Sequence, residues 1–414
     1  MSAEPARPLW RGRALALAGI VFVAFSLRSA VASLSPILAE IQSDIDVPAW
    51  VIGLIGTAPP LCFALFGIVT PALERRFGLE RLAIGAMVVV AFGLVGRALA
   101  PDAGLLLLGT AVLFAGVGVG NVVAPPLIKR YFPDRTGLMT GLYSAILAVA
   151  AFVPPLVAVP VADSAGWRFS LGMWAVFAVV AIIPWVAMLQ RERVAAAAAP
   201  DATVVDEPAP RVLGRLFRLP TAWALAATFA LSSTSVYASF AWLPVILVDI
   251  AGVSHATAGA LLSLFGAMGI PLSIVVPIVI TRWRKVGVLY AVALVAGLAA
   301  VAGLLLAPVA ATVLWVVLLG IPQGLFPVAL VLIQLRARTH EGAVALSGFV
   351  QSVGYTLAAT FPFTFALIND ATGDWTGPLI MLGALMLLAV PAGIIASRPR
   401  TIEDEWEHRH GPWR

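Results

Sequence analysis

Twelve apolar stretches, each long enough to cross a bilayer, fill this sequence almost from end to end. They fall at roughly 14–39, 50–72, 82–100, 104–128, 137–162, 169–189, 222–248, 256–281, 286–307, 312–335, 343–368 and 377–396. A spanning helix takes about 20 apolar residues. Backbone groups in lipid must find their partners within the segment, so a continuous apolar run of that length has to be helical. Only 11% of the 414 residues are charged, against about 25% in soluble domains. That is too few for a polar skin, and a soluble enzyme is excluded. The fold expected is all-α, with twelve transmembrane helices in a lipid bilayer. The single cysteine, Cys62, rules out a disulfide framework or a multi-cysteine metal site and reads as core filler.

The few charges are sorted by side. Arg7, Arg11 and Arg13 precede the first run, and Arg75, Arg76 and Arg81 follow the second. Lys129, Arg130, Arg135, Arg191, Arg193, Arg211, Arg215, Arg218, Arg282, Arg284, Lys285, Arg336, Arg338, Arg398, Arg400, Arg409 and Arg414 continue in alternate connections, making 23 of the 26 basic residues. The opposite face holds Arg97 and Arg168 with eight acids: Glu40, Asp44, Asp46, Asp102, Asp163, Asp249, Asp370 and Asp374. Such a positive-inside bias predicts a multi-pass protein of the cytoplasmic membrane with both termini in the cytoplasm. It also explains the net charge of +5 without nucleic acid, which is not expected as a partner. Ala30-Val31-Ala32 imitates a signal-peptide cleavage site, but the preceding run is too long, contains Arg28, and is followed by eleven more.

The stretch 190–219 differs in kind. A run of five alanines at 195–199, three prolines and scattered acids without apolar periodicity read as a cytoplasmic linker. It divides the chain into an N-terminal six-helix half (1–189) and a C-terminal one (220–397), with 398–414 as a cytoplasmic tail. A constant offset of 208 superposes Pro36 on Pro244, Arg76 on Arg284, Gly116 on Gly324, Arg130 on Arg338, Ser144 on Ser352, Pro154 on Pro362, Trp167 on Trp375 and Met173 on Met381. Two pseudo-symmetric halves related as parallel repeats are the mark of a rocking transporter with its site between them.

On these residues the chain resembles the major facilitator superfamily. Glu74-Arg75-Arg76-Phe77-Gly78-Leu79-Glu80-Arg81 sits where that family has its cytoplasmic motif between spans two and three, with Arg75 at the usual aspartate position and Glu74 one residue earlier. Arg130-Tyr131-Phe132-Pro133-Asp134-Arg135 with Gly137 and Gly141, and Gly166-Trp167-Arg168, are further matches. With Leu27-Arg28-Ser29 and Gly120-Asn121 they are most similar to the cyanate and nitroimidazole transporter branch. The resemblance implies the major facilitator fold and transport of a small solute by alternating access.

Arg28 is the most informative residue. Near the middle of its run, an arginine costs about 2.5–3.5 kcal/mol on insertion scales, so it must face protein or a water-filled cavity. A packing role would pair it with backbone carbonyls or a carboxylate, yet none of the 21 acids lies mid-span. An unpaired central guanidinium suits an anionic or strongly dipolar small molecule. Tyr237, Gln323, Gln351 and Tyr355 fall near span centres and would complete a substrate-binding pocket, Gln351 and Tyr355 sharing a helix face. Each could equally be interhelical glue. Asn121 and Tyr143, nearer the cytoplasmic end, would bind substrate or gate the inner mouth. Phe25 and Trp242 would wall the cavity or pack.

Other motifs carry less. Gly116-Val117-Gly118-Val119-Gly120 echoes a dinucleotide loop but lacks the strand-loop-helix context. Gly116 and Gly120 instead form a small-residue face for helix contact. Pro59-Pro60, Pro125-Pro126 and Pro154-Pro155 are expected to kink or break their helices. The tail run Glu403, Asp404, Glu405, Glu407, His408 and His410 reads as a solvated terminus rather than a metal site. No cofactor or metal is expected, and the four histidines lie in loops or tail, leaving no obvious proton carrier in the membrane. The expected function is secondary transport of a small anion or compact polar solute by a monomer. Drug or antibiotic efflux on the same fold is the rival. A membrane-embedded enzyme or channel fits less well, because no catalytic constellation is present and a two-fold repeat suits alternating access.

Overall fold

The computed structural model describes residues 13–196 and 214–413. Arg7, Arg11, Arg414 and most of the linker expected at 190–219 lie outside the described residues.

Twelve helical spans follow one another: α1 (Ala14–Asp44), α2 (Ala49–Thr70), α3 (Leu79–Ala98), α4 (Ala103–Tyr131), α5 (Leu138–Ala165), α6 (Trp167–Gln190), α7 (Pro220–Ala251), α8 (His255–Thr281), α9 (Val286–Leu306), α10 (Thr312–Leu335), α11 (Gly342–Thr372) and α12 (Thr376–Ala396). A short tail helix, α13 (Ile402–His410), comes last. Among the described residues there is no strand. The spans are apolar around most of their circumference, as helices facing lipid on one side and protein on the other must be.

Helix interruptions are not where the proline pairs suggested. Helices Ala49–Phe77, Ala103–Tyr131 and Thr136–Ala165 run unbroken through Pro59-Pro60, Pro125-Pro126 and Pro154-Pro155. Neighbouring helices and hydroxyls can re-satisfy the carbonyls that proline releases in a membrane span. The breaks lie elsewhere. α1 is helical to Ala32, then passes through a tight turn at Ser35–Ile37, with Pro36 inside it, before Leu38–Asp44. α10 is interrupted at Ile321–Gly324, where Pro322 sits. Between α2 and α3 the chain reverses at Gly78, whose φ of 80° favours glycine.

The repeat seen in the sequence recurs as a bonding device. Trp167 donates its indole N–H to Asp44 at 3.1 Å, and its equivalent Trp375 donates to Asp249 at 2.8 Å. In each half a tryptophan at the acidic end thus ties the sixth span to the end of the first. Arg168 adds an ion pair to Asp44 and stacks over the Trp167 ring.

The two halves meet at the acidic face. There the apolar core of the C-terminal half extends across to Leu34, Ile37, Ile52, Ile55 and Ala158 of the N-terminal half. Small residues allow the approach: a Cβ on Gly53 would meet Ala366 Cβ at 2.8 Å, and one on Gly259 would meet the Pro155 carbonyl at 2.7 Å. Thr57 donates to the Ala359 carbonyl across this junction at 2.8 Å, and within the C-terminal half Trp242 donates to the Pro362 carbonyl at 2.9 Å. Among the described residues, the ion pairs named at the basic face stay within one half. Arg13 pairs with Asp134, holding that carboxyl below the usual carboxylate range. Arg130 and Tyr131 bind Glu80 at 3.3 and 2.7 Å. Gly116 and Gly120 do form a packing face, against Ala86 and Val90 of α3 and Leu27 of α1.

The acidic tail is solvated only in part: Asp404, Glu407, His408 and His410 are exposed, but Glu403 and Glu405 are buried. Glu403 is fully buried and accepts from the Arg338 N–H, the Thr339 N–H and the Thr339 hydroxyl at 2.8–3.0 Å. Glu405 accepts from the Thr221 N–H, while Arg338 pairs with Asp404 and Glu407. α13 therefore straps α7 to α11 across the basic face. Removing the Glu403 carboxylate would leave three donors unpaired, at about 1–3 kcal/mol for each buried group. We expect Glu403→Ala to lower the unfolding temperature by several degrees in detergent, measured by intrinsic fluorescence, with Glu403→Gln intermediate.

Candidate functional site

α1 places Arg28 one turn before the break at Ala32, with its side chain half-buried between the halves. Its neighbours Ser26 and Ser29 bond back to their own helix, so they do not compete for it. Among the described residues the one hydrogen bond of Arg28 is to the Tyr237 hydroxyl of α7, at 3.3 Å, across the junction of the halves. Tyr143 and Tyr355 join Tyr237 within electrostatic reach of the guanidinium, and among the described residues no carboxylate does. A guanidinium carries five N–H donors. Most of them have no hydrogen-bond partner among the described residues.

Aromatic rings frame this charge. Phe63 of α2 meets Tyr237 and Tyr355 edge-on, with centroids 6.0 and 5.3 Å away. Tyr355 lies 6.2 Å from Tyr237 and stands at 90° to Phe229, 4.8 Å away. Gly354 makes room for that: a Cβ there would sit 2.6 Å from the Phe229 ring. Edge-to-face geometry of this kind fixes ring orientation and contributes about 0.5–1.5 kcal/mol per pair. The tyrosines are therefore held in place before a ligand arrives.

The sequence candidates separate into groups. Arg28, Tyr237, Tyr355 and Tyr143 come together. Gln323 is engaged elsewhere: its amide donates to the Phe265 carbonyl of α8 at 2.7 Å, bridging the break in α10 to a neighbour. Gln351 donates to Ser347 one turn back on α11, at 2.8 Å, on the half-buried face that also carries Tyr355. Asn121 is half-buried in α4 and has no hydrogen bond to this group among the described residues. Phe25 packs against Trp174 and Phe177 inside its own half, and Trp242 against Trp375, so both are packing elements.

Three features escaped the sequence reading. Phe63 had no distinguishing signal among 20 phenylalanines. The run Ser232-Ser233-Thr234-Ser235, just before Tyr237, was visible as four hydroxyls inside an apolar span, and all four are buried. Arg97, assigned by charge counting to the acidic face, is at that end but turned inward and only 1% exposed.

With this arrangement in view, comparison with known proteins is informative. Residues 20–361 match the family described as Major Facilitator Superfamily. The chain is 33% identical over 395 residues to the 2-nitroimidazole transporter of Escherichia coli, covering 95% of this chain and 98% of that one. It is 28% identical over 386 residues to the cyanate transport protein CynX of the same organism, covering 90% and 95%. A bacterial homologue of the human lysosomal transporter Spinster, solved in an inward-facing, unoccupied conformation, superposes with a TM-score of 0.70 at 15% identity over 95% of this chain and 97% of that one. The chain belongs to the Major Facilitator Superfamily: it is a multi-pass secondary transporter of a small molecule and not an enzyme.

Proposed function

We propose that this protein carries a small anion or compact dipolar solute, of the cyanate, nitro or carboxylate type, across the cytoplasmic membrane as a monomer. Arg28 is the principal binding residue. The observation that carries this reading is the central guanidinium with a single tyrosine hydroxyl at 3.3 Å and no carboxylate in reach. Tyr237, Tyr355 and Tyr143 offer neutral donors around the charge, and Phe63 and the tyrosine rings form walls suited to a flat or linear ligand. Gln351 and Asn121, on the side nearer the basic face, contact the ligand as it leaves or enters. Gln323 fixes the shape of α10 rather than touching the solute. The basic face is cytoplasmic by the positive-inside bias, so closure over the acidic face makes this the inward-facing state. Both an anion-transporting and a nitroaromatic-transporting relative fit one chemistry, because a nitro group presents two partly negative oxygens to a guanidinium much as a carboxylate does.

Purified protein in liposomes, tested with cyanate, nitrate, formate, short carboxylates and neutral nitroaromatics, checks this directly. Saturable uptake of at least one oxygen-bearing small anion or nitro compound, with mutual competition, is expected. Transport confined to bulky apolar cations would replace this reading with drug efflux.

A further inference from the structure

Arg97 is a second cation in the interior, separate from the Arg28 centre. It occupies the last turn of α3, and Gly109 of α4 gives it space, since a Cβ there would lie 3.2 Å from the Arg97 Cγ. One of its nitrogens donates to the Ala30 carbonyl of α1 at 3.1 Å, and its Nε is buried with no partner. Among the described residues no carboxylate pairs with it, and burial is the main influence on the group. A helix C-terminus favours a cation. That offsets only part of the cost of burying an ion.

A cavity of about 30 Å³ is lined by Arg97 together with Ser35, Pro59, Phe114, Tyr237 and Phe240. The Ser35 hydroxyl is buried without a partner too. Residues from both halves therefore line a small space beside one cation that lacks a carboxylate partner among the described residues and one hydroxyl that lacks a hydrogen-bond partner. By this measure a water needs about 10–15 Å³, so the space takes about two waters. It could hold a linear or trigonal anion and has no room for an aromatic ring. Tyr237 lines the cavity and also accepts from Arg28, which makes it a shared wall between the two cations.

We propose that Arg97, Ser35 and Tyr237 form a second binding site for small inorganic anions, on the acidic side of Arg28, which a solute occupies before or after the central position. The inference rests on the anion reading of Arg28. Labelled thiocyanate, a linear anion, is the probe, measured by equilibrium binding to the full chain in lipid nanodiscs and by uptake into liposomes. Two thiocyanates per wild-type chain are expected, with one remaining in Arg97→Gln and one in Arg28→Gln. Uptake at low concentration should fall about tenfold in Arg97→Gln, with Arg97→Lys recovering much of it and the unfolding temperatures of both close to wild type. Ser35→Val, which removes the hydroxyl at similar size, should weaken only the second site, and it serves as the test if Arg97→Gln fails to fold. A single thiocyanate per wild-type chain, or two retained in Ser35→Val with unchanged affinity, would overturn the second site while leaving Arg28 intact. Absence of any thiocyanate binding to wild type would overturn both this site and the anion reading.

Discussion

Arg28→Gln is expected to abolish transport of small anions while leaving the protein folded and inserted. Hydrogen bonds to charged groups contribute about 1.5–3 kcal/mol, so loss of a guanidinium–anion contact corresponds to roughly tenfold to hundredfold weaker binding. Glutamine ends two bonds short of the guanidinium nitrogen that bonds the Tyr237 hydroxyl at 3.3 Å, so that bond is lost, but the buried apolar residues of α1, Ala16, Ile20, Val23, Ala24 and Leu27, keep the helix packed in its own half. Arg28→Lys separates charge from shape: a point charge without the planar fork should restore part of the binding, least for planar carboxylates and nitrate. Equilibrium binding and initial uptake rates on the same preparations check this. Unchanged affinity and rate in Arg28→Gln would remove Arg28 from the site.

The second large effect concerns closure rather than binding. Gly56 sits where α2 meets both α7 and α11 at the acidic face, and a Cβ there would lie 2.7 Å from Ala241 Cβ and 2.9 Å from Pro362 Cβ. Leucine at this position cannot be accommodated while the face is shut. Overpacking typically costs about 1–3 kcal/mol, which displaces a two-state equilibrium by roughly fivefold to more than hundredfold. Gly56→Leu should therefore favour the conformation open at the acidic face and slow transport severely, with binding at Arg28 retained. Spin labels at Arg76→Cys and Arg284→Cys, exposed repeat-related positions on the basic face, should move closer together in this variant. A label distance identical to that of the parent would show that Gly56 does not control closure.

How much of this was legible in the sequence follows from what each feature depends on. The twelve spans were readable because bilayer thickness sets a length that no other constraint imitates. The repeat was readable because Trp167 and Trp375 perform one task in both halves, so identity at fixed offset had a physical cause. Arg28 was readable because a charge mid-span must face inward. Helix rotation was not readable: spans apolar all round carry no moment to say which face packs, so Leu65 and Phe92 lie exposed to lipid while Leu94 is buried, with nothing in residue type to separate them. For the same reason Arg97 was placed at the acidic surface when its helix turns it inward. Gln323 and Tyr355 looked alike as mid-span polar residues. Only the structure distinguishes a side chain bonded to a neighbouring carbonyl from one facing the junction. The tail was misjudged because Glu403 is buried by partners some 65 positions away, which no local pattern encodes.

The central claim is that a small anion binds at Arg28 between the halves. Selenocyanate, a linear analogue of cyanate with a strong anomalous scatterer, tests it by diffraction from soaked crystals of the full chain. A selenium peak is expected inside the junction, in contact with the Arg28 guanidinium and bounded by Tyr237, Tyr355 and Phe63, and lost in Arg28→Gln crystals. Selenium confined to the protein surface at saturating concentration, with the Arg28 guanidinium bare, would contradict it.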